Sequence, residues 1–405
     1  KLNVPLVACL GSEADGIRDA LLRRLDSPTE DVGVKVALLR LLKASTTKQQ
    51  GLCNAFLTPP EKLLDPLTSL LATPSSSEMG QKLTLAIVEL VDAMWTEKYT
   101  TATAYLKNKG DFWNALADPL INEKPGEMSD AVAGHTFRIL AHQVFSSDAK
   151  PEATLQEVMD KLCSSTENTM CLWSKHIMNS LESVASSSSS VRELLLPSWR
   201  DFLVVLVARA KSWLTTEQKI SLASDVLSGL VYQLDGATVD ETTTNLLAHI
   251  YLAMVKHCGK QLVATKDCFQ QLRKLLLLMQ EAVMETPTHC HLMILGATLR
   301  MVTHTEPGEV SQDEVVVLLD PVLGLVQQHG RLAGSTNRSV TSGSTLNIAT
   351  ALLHQVLLRC DKEMAEAHLN CSPVIPALLH ATHIYMQVGH SSIQIYVNLL
   401  AKVEE

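Results

Sequence analysis

Apolar positions along the chain recur at the three-to-four residue spacing of helices, and nowhere do they alternate convincingly as a half-buried strand requires. Near the start, Leu10, Ala14, Ile17, Leu21 and Leu25 trace one narrow stripe. Asp19 and Arg23 stand four apart, in the acid-then-base order that suits the outer face of a helix. Ser27-Pro28-Thr29-Glu30 follows at once and reads as a capped start, with Ser27 at the N-cap, Pro28 in the first position and Glu30 reaching back. The helix this predicts, 28–43, is apolar on most sides through Val32, Val34, Val36, Leu38, Leu39, Leu41 and Leu42. A helix apolar all round is buried between neighbours. A one-sided helix followed by a buried one is what stacked helix pairs require.

The same pattern predicts helices at 60–72, 78–96, 98–108, 111–121, 129–146, 152–164, 167–185, 190–212, 216–234, 239–258, 267–285, 288–304, 311–329, 343–360, 374–388 and 391–403. Phe269, Leu272, Leu276, Met279 and Val283 share one face, and Pro197 falls inside a long pattern that it should kink. Helices arrive about every 20–25 residues, so pairs recur at roughly 40–47, the period of HEAT and armadillo units. The repeats do not resemble one another in sequence. The expected fold is all-α: an irregular α-solenoid in which residues 1–405 form one continuous stretch and each unit touches mainly its neighbours.

The first residue, Lys1, is not a Met, and the pattern begins in mid-unit, so the chain reads as an interior segment of something longer. Solenoid ends need polar caps. Leu2, Val4, Leu6 and Val7 at one end, and Ile393, Ile395, Val397, Leu399 and Leu400 near the other, are apolar instead. The isolated chain is therefore expected to expose apolar surface and to self-associate. Two stretches break the regularity: 183–190, "SVASSSSS", and 330–344, "GRLAGSTNRSVTSGS". Both are expected to be exposed connectors open to phosphorylation, and the second is long for a compact fold.

Composition narrows the classes. Apolar residues make up 46% and charged residues 19%, as in folded proteins. Aromatics are only 4%, which suits helix-on-helix packing better than sheets. A net charge of −9 argues against broad binding of nucleic acid, which needs a basic field. The nine cysteines form no CxxC pair and read as reduced, mostly buried thiols of the cytosol or nucleus, where the sequons at Asn337 and Asn370 carry no meaning. The longest apolar runs, such as Phe202 to Ala208, are far too short to span a membrane.

Candidate chemistry is sparse. His289, Cys290 and His291 are adjacent, and consecutive helical positions point apart, so they do not converge on one ion. His380 and His383 stand three apart with His390 beyond, but zinc needs three or four ligands and no second pair has suitable spacing. No P-loop, nucleophile elbow, HExxH or GxGxxG occurs. No catalytic, cofactor-binding or metal-ligating residue is identified, no cofactor is expected, and no partner-binding residue is assigned. Lys256, Lys260, Lys266, Arg273 and Lys274 form the most basic run, either a solvated helix face or a contact for an acidic partner. Trp95, Trp113, Trp173, Trp199 and Trp213 are either interface anchors or packing between repeats.

A collinear set of residues adds a resemblance: Ala8-Cys9-Leu10-Gly11, Ile17-Arg18-Asp19-Ala20, Leu25, Glu30-Asp31, Lys35-Val36, Ala93, Trp95, Phe112-Trp113, Leu116, Pro119-Leu120, Trp199-Arg200 and Asp225-Val226-Leu227. In this order and spacing they resemble the nucleoporin 188 family of large inner-ring scaffolds of the nuclear pore. The resemblance covers roughly the first 260 residues. It implies a non-enzymatic segment of a very long helical superhelix at the nuclear envelope. The partners it implies are other inner-ring nucleoporins, including an adaptor bound through a short helix, with transport receptors as further candidates. It implies no direct nucleic-acid contact and no membrane span, and it brings no residue-level partner motif. In such a ring the segment would act as a stiff spacer, insensitive to surface changes. A mobile transport receptor or armadillo-type adaptor is the alternative with the same architecture.

Overall fold

The computed structural model describes residues 6–73, 77–122, 125, 127–147, 153–164, 166, 168–182, 190–208, 213–236, 240–263, 265, 268–281, 289–304, 312–333, 340–360 and 363. Among the described residues every regular element is helical and no strand occurs. The chain divides into two compact units, Lys1–Leu214 and Thr215–Glu405.

The first unit holds α1 (Leu6–Leu10), α2 (Ala14–Asp26), α3 (Val32–Lys48), α4 (Gln50–Phe56), α5 (Glu61–Leu71), α6 (Glu78–Thr96), α7 (Thr100–Lys107), α8 (Gly110–Asn122), α9 (Glu127–Ser146), α10 (Ala153–Leu162), α11 (Thr169–Glu182) and α12 (Leu196–Ala208). Two rows of helices emerge from the packing: α2, α5, α8 and α10 stack in succession, and α3, α6, α9 and α12 stack beside them. The second unit holds α13 (Thr216–Asp235), α14 (Glu241–Val263), α15 (Cys268–Glu281), α16 (His289–His304), α17 (Gln312–Val316), α18 (Leu319–Ala333) and α19 (Val340–Leu357). There α13, α15 and α18 form one row and α14, α16 and α19 the other. Each unit is thus a stack of helix pairs, the α-solenoid that the periodicity predicts. Pairs recur about every 50 residues, slightly above the HEAT period. The excess comes from the short helices α4, α7 and α17, set between pairs.

Packing follows from the stripes. Leu39, Leu63, Ile87, Leu90 and Met94 are fully buried between the rows of the first unit. Each contributes about 1.5–3 kcal/mol by leaving water. Trp95 stacks on Phe112, and Trp113 meets both edge-on with ring centroids 5.0–6.0 Å apart. Phe137 bridges Trp173 and Phe202. Polar links join successive helices as well. Lys43 on α3 lies 3.1 Å from Glu89 on α6. Asp92 on α6 meets His135 and Arg138 on α9 at 2.6 and 3.2 Å. Asp130 on α9 meets His176 on α11 at 2.7 Å.

Several sequence expectations change in detail. The cap of α3 is Asp31, whose Oδ1 accepts from the backbone N–H of Gly33 and Val34 at 2.8 and 3.3 Å. Ser27 instead meets Thr29, and Glu30 is held by Arg24 at 2.7 Å, so the foreseen box never forms. Arg23 donates to the backbone oxygen of Asp19, whose carboxylate pairs with Arg18 and Lys62. Ile17 and Leu41 point to solvent, whereas Leu22 joins Leu25 in the core. Pro197 is preceded by a π-helical turn, Val191–Leu195, a wider winding that accommodates a ring unable to donate a hydrogen bond. The expected 330–344 connector is shorter: α18 runs to Ala333 and α19 starts at Val340, leaving only 334–339 outside the described residues.

Most of the serine stretch, the apolar residues named near both ends, and the helices expected at 374–388 and 391–403 fall outside the described residues or their described side chains. No helix among the described residues is long and apolar enough to cross a membrane.

Candidate interaction surface

The basic run divides in space. Lys256 and Lys260 lie exposed on α14, while Arg273 and Lys274 lie exposed on α15, with Lys274 drawn to Asp235 at 3.5 Å. Lys266 is outside the described residues. Lys256 gains different company. Arg300 on α16 donates through Nη2 to the Lys256 carbonyl oxygen at 3.4 Å. Lys219 on α13, His257 on α14 and His304 at the end of α16 complete the group.

The local chain explains the gathering. α14 breaks its helical winding at Cys258, with φ −138° and ψ 24°, where the thiol donates to the Met254 carbonyl at 2.8 Å. Gly259 follows, and a side chain there would press into the His304 ring, since a Cβ would sit 2.9 Å from its Cδ2. Glycine at this position lets the last turn of α16 approach the kink. α13 packs against α14, and Lys219 lies near His257 and Cys258 at the kink.

Two histidines register the resulting positive field. His257 is held below the usual imidazole value, first by burial and then by Lys256, Arg300 and Lys219. His304 is lowered by burial and then by Arg300 and Lys260. Neither Lys219, Lys256 nor Arg300 pairs with a carboxylate among the described residues. The arrangement is a concentrated, solvent-facing cation cluster. It holds no nucleophile beside a base and suits binding rather than catalysis.

The remaining candidates resolve as packing. His289 is exposed whereas Cys290 and His291 are buried, so the three point apart as the helical spacing requires. His291 instead lies near His329 of α18, and burial holds both imidazoles at about 4. His380, His383 and His390 are outside the described residues. Among the described residues no three His, Cys, Asp or Glu side chains gather as an ion site. Cys163, Cys268 and Cys290 are pushed up to about 12 by burial, the opposite of an activated thiol. Trp95, Trp113, Trp173 and Trp199 are core, and Trp213 is half-buried. A groove of about 400 Å³ between α4 and α7 is lined by Glu97, Lys98 and Tyr99 among others. The Tyr99 hydroxyl is committed to the Thr46 carbonyl at 2.9 Å.

Sequence reasoning located Lys256 and missed Lys219 and Arg300. One signal was available: an antiparallel helix pair turning at about residue 238 sets 219 opposite 257. For Arg300 no such local signal exists, because its neighbourhood depends on how α16 stacks on α14.

Known proteins resemble the chain over 55 to 80% of its length. No protein-family model matches it. It is 26% identical over 305 residues to nucleoporin NUP188 of Xenopus tropicalis, covering 66% of this chain and 17% of that protein. With NUP188 of Homo sapiens it shares 26% identity over 254 residues, or 55% of this chain and 14% of that one. With Nup188 of Drosophila melanogaster the figure is 22% over 363 residues, or 80% and 19%. A crystal structure of importin beta aligns over 98% of this chain and 70% of that one at 11% identity, with a TM-score of 0.28, too low to bear on the fold. The chain spans less than a fifth of the length of these NUP188 relatives, and its similarity to them supports a nucleoporin origin.

Proposed function

We propose that this chain is a segment of a structural scaffold of the nuclear pore complex, at the inner ring of the nuclear envelope, and that it has no enzymatic role. The observation that carries this reading is the similarity to NUP188 proteins from three animals, extending over as much as 363 residues. The core residues agree with it. Trp95, Phe112, Trp113, Leu116, Leu120 and Trp199, which carry the family resemblance, are all buried and define the stack. Buried aromatic and leucine positions of this kind suit a spacer that depends on its packed interior.

In this reading residues 1–405 run as one continuous solenoid segment of a longer chain. Its partners are other nucleoporins, including an adaptor held through a short helix, and it supports nucleocytoplasmic transport as architecture. The experiment is co-purification from cells of the full-length protein carrying an affinity tag. Inner-ring nucleoporins recovered in stoichiometric amounts support the scaffold. Recovery dominated by a transport GTPase and cargo, with inner-ring nucleoporins lacking, contradicts it.

A further inference from the structure

We propose that the cationic face built by Lys219, Lys256 and Arg300 is a docking surface for an acidic, Asp/Glu-rich peptide segment of a protein partner. The face is assembled from three helices rather than from one solvated run, and the kink at Cys258 and the glycine after it shape its centre. Some exposed cations elsewhere are neutralised by carboxylates, as Arg24 is by Glu30, Lys82 by Glu78, Lys161 by Glu157 and Lys274 by Asp235, and others, such as Arg40, Lys48 and Lys175, are not among the described residues. What distinguishes Lys219, Lys256 and Arg300, in a chain with 43 acidic and 34 basic residues, is that three cations from three helices gather around His257 with no carboxylate paired to them among the described residues. Glu217, two residues before Lys219, lies on another face of α13. Lys256, Arg300 and Lys219 all lie close enough to His257 to add to the lowering that burial imposes on its imidazole.

The occupant follows from charge and shape. A short carboxylate-bearing segment feels mainly charges within a Debye length, about 8–10 Å in ordinary salt, so the local cations outweigh the net −9 of the chain. Nucleic acid carries a dense, extended charge that the acidic remainder repels. The cluster also offers no Phe, Tyr or Trp on which a base could stack. The exposed Lys256 and Arg300 and the half-buried Lys219, spread over three helices, suit an extended peptide that places successive carboxylates on each, with the Arg300 fork able to take one in bidentate fashion.

This inference goes beyond the scaffold reading and does not depend on it. It is tested on the purified chain by fluorescence anisotropy with a short fluorescein-labelled oligoglutamate peptide at low salt. The expected result is saturable binding that weakens steeply as salt rises. It weakens at least about tenfold in the triple variant K219E/K256E/R300E and several-fold in K256E alone. It stays within about twofold in the R273E/K274E control, which changes the same charge class on α15. The arginine variant K219R/K256R retains binding, and thermal melts by circular dichroism match wild type throughout. Absence of saturable binding to wild type, equal binding by a folded K256E and triple variant, or tighter binding of a labelled single-stranded oligonucleotide than of the peptide overturns the proposal. Failure of the full-length protein to reside at the nuclear pore would leave this result untouched.

Discussion

His135 Nδ1 on α9 lies 2.6 Å from Asp92 Oδ2 on α6, and Arg138 reaches the same oxygen at 3.2 Å. The carboxylate is 4% exposed, so it has given up water for these two partners. Glu89 extends the link to Lys43 on α3, which ties three successive helices of one row. Asp92→Ala leaves His135 and Arg138 facing a partly buried gap, and should cost about 3–5 kcal/mol. Asp92→Asn should cost less, because its side-chain oxygen still accepts from both partners. Urea unfolding of the two variants, followed by circular dichroism, separates them.

The core prediction concerns Leu39, which is wholly buried on α3 against α6. Leu39→Ala removes buried methyl groups and leaves a cavity, at a cost of about 2–5 kcal/mol. Leu41, two positions on and 48% exposed, should tolerate alanine within about 0.5 kcal/mol. Thermal melts of the paired variants give the comparison.

Helix capping offers a sharper contrast, since two nearby residues compete for one role. Asp31→Ala removes the acceptor of two backbone N–H groups and should cost about 0.5–2 kcal/mol. Ser27→Ala removes only a contact with Thr29 on the surface and should be nearly neutral. Equal effects would restore Ser27 as the cap.

A dependence on pH follows from His291 and His329. His291 Nε2 and both ring nitrogens of His329 are buried with no hydrogen-bond partner among the described residues. Burial holds both rings at about 4, against 6.5 in water. The unfolded chain therefore takes up these protons first. Above about pH 6.5 the rings are neutral in both states and add no pH dependence, and stability falls progressively as pH drops toward about 4. Between about pH 7 and 5 each ring should contribute roughly 1–2 kcal/mol of this loss. The variant H291L/H329L should flatten that part of the pH dependence in urea melts. A profile parallel to wild type contradicts the assignment.

Much of this architecture was legible because helix period and helix pairing are local properties. Of the stripe Phe269, Leu272, Leu276, Met279 and Val283, the first four are buried as their spacing requires, and Val283 lies outside the described residues. What failed were choices between nearby equivalents. Ser27 and Asp31 are both good caps, and only the capture of Glu30 by Arg24 decides between them. The helix α4 escaped notice because it contributes just Leu52, Cys53 and Phe56 to the core from a short polar stretch. The cation cluster was half visible: Lys256 stands out in any charge reading, whereas Arg300 joins it through contact between helices distant in sequence.

The central claim is that this chain serves within a fixed scaffold rather than a mobile carrier, and photobleaching of the fluorescently tagged full-length protein at the nuclear envelope tests it most directly. The account predicts a punctate rim that recovers little over many minutes, with a negligible nucleoplasmic pool. Recovery within seconds from a large nucleoplasmic pool would contradict it and favour a carrier.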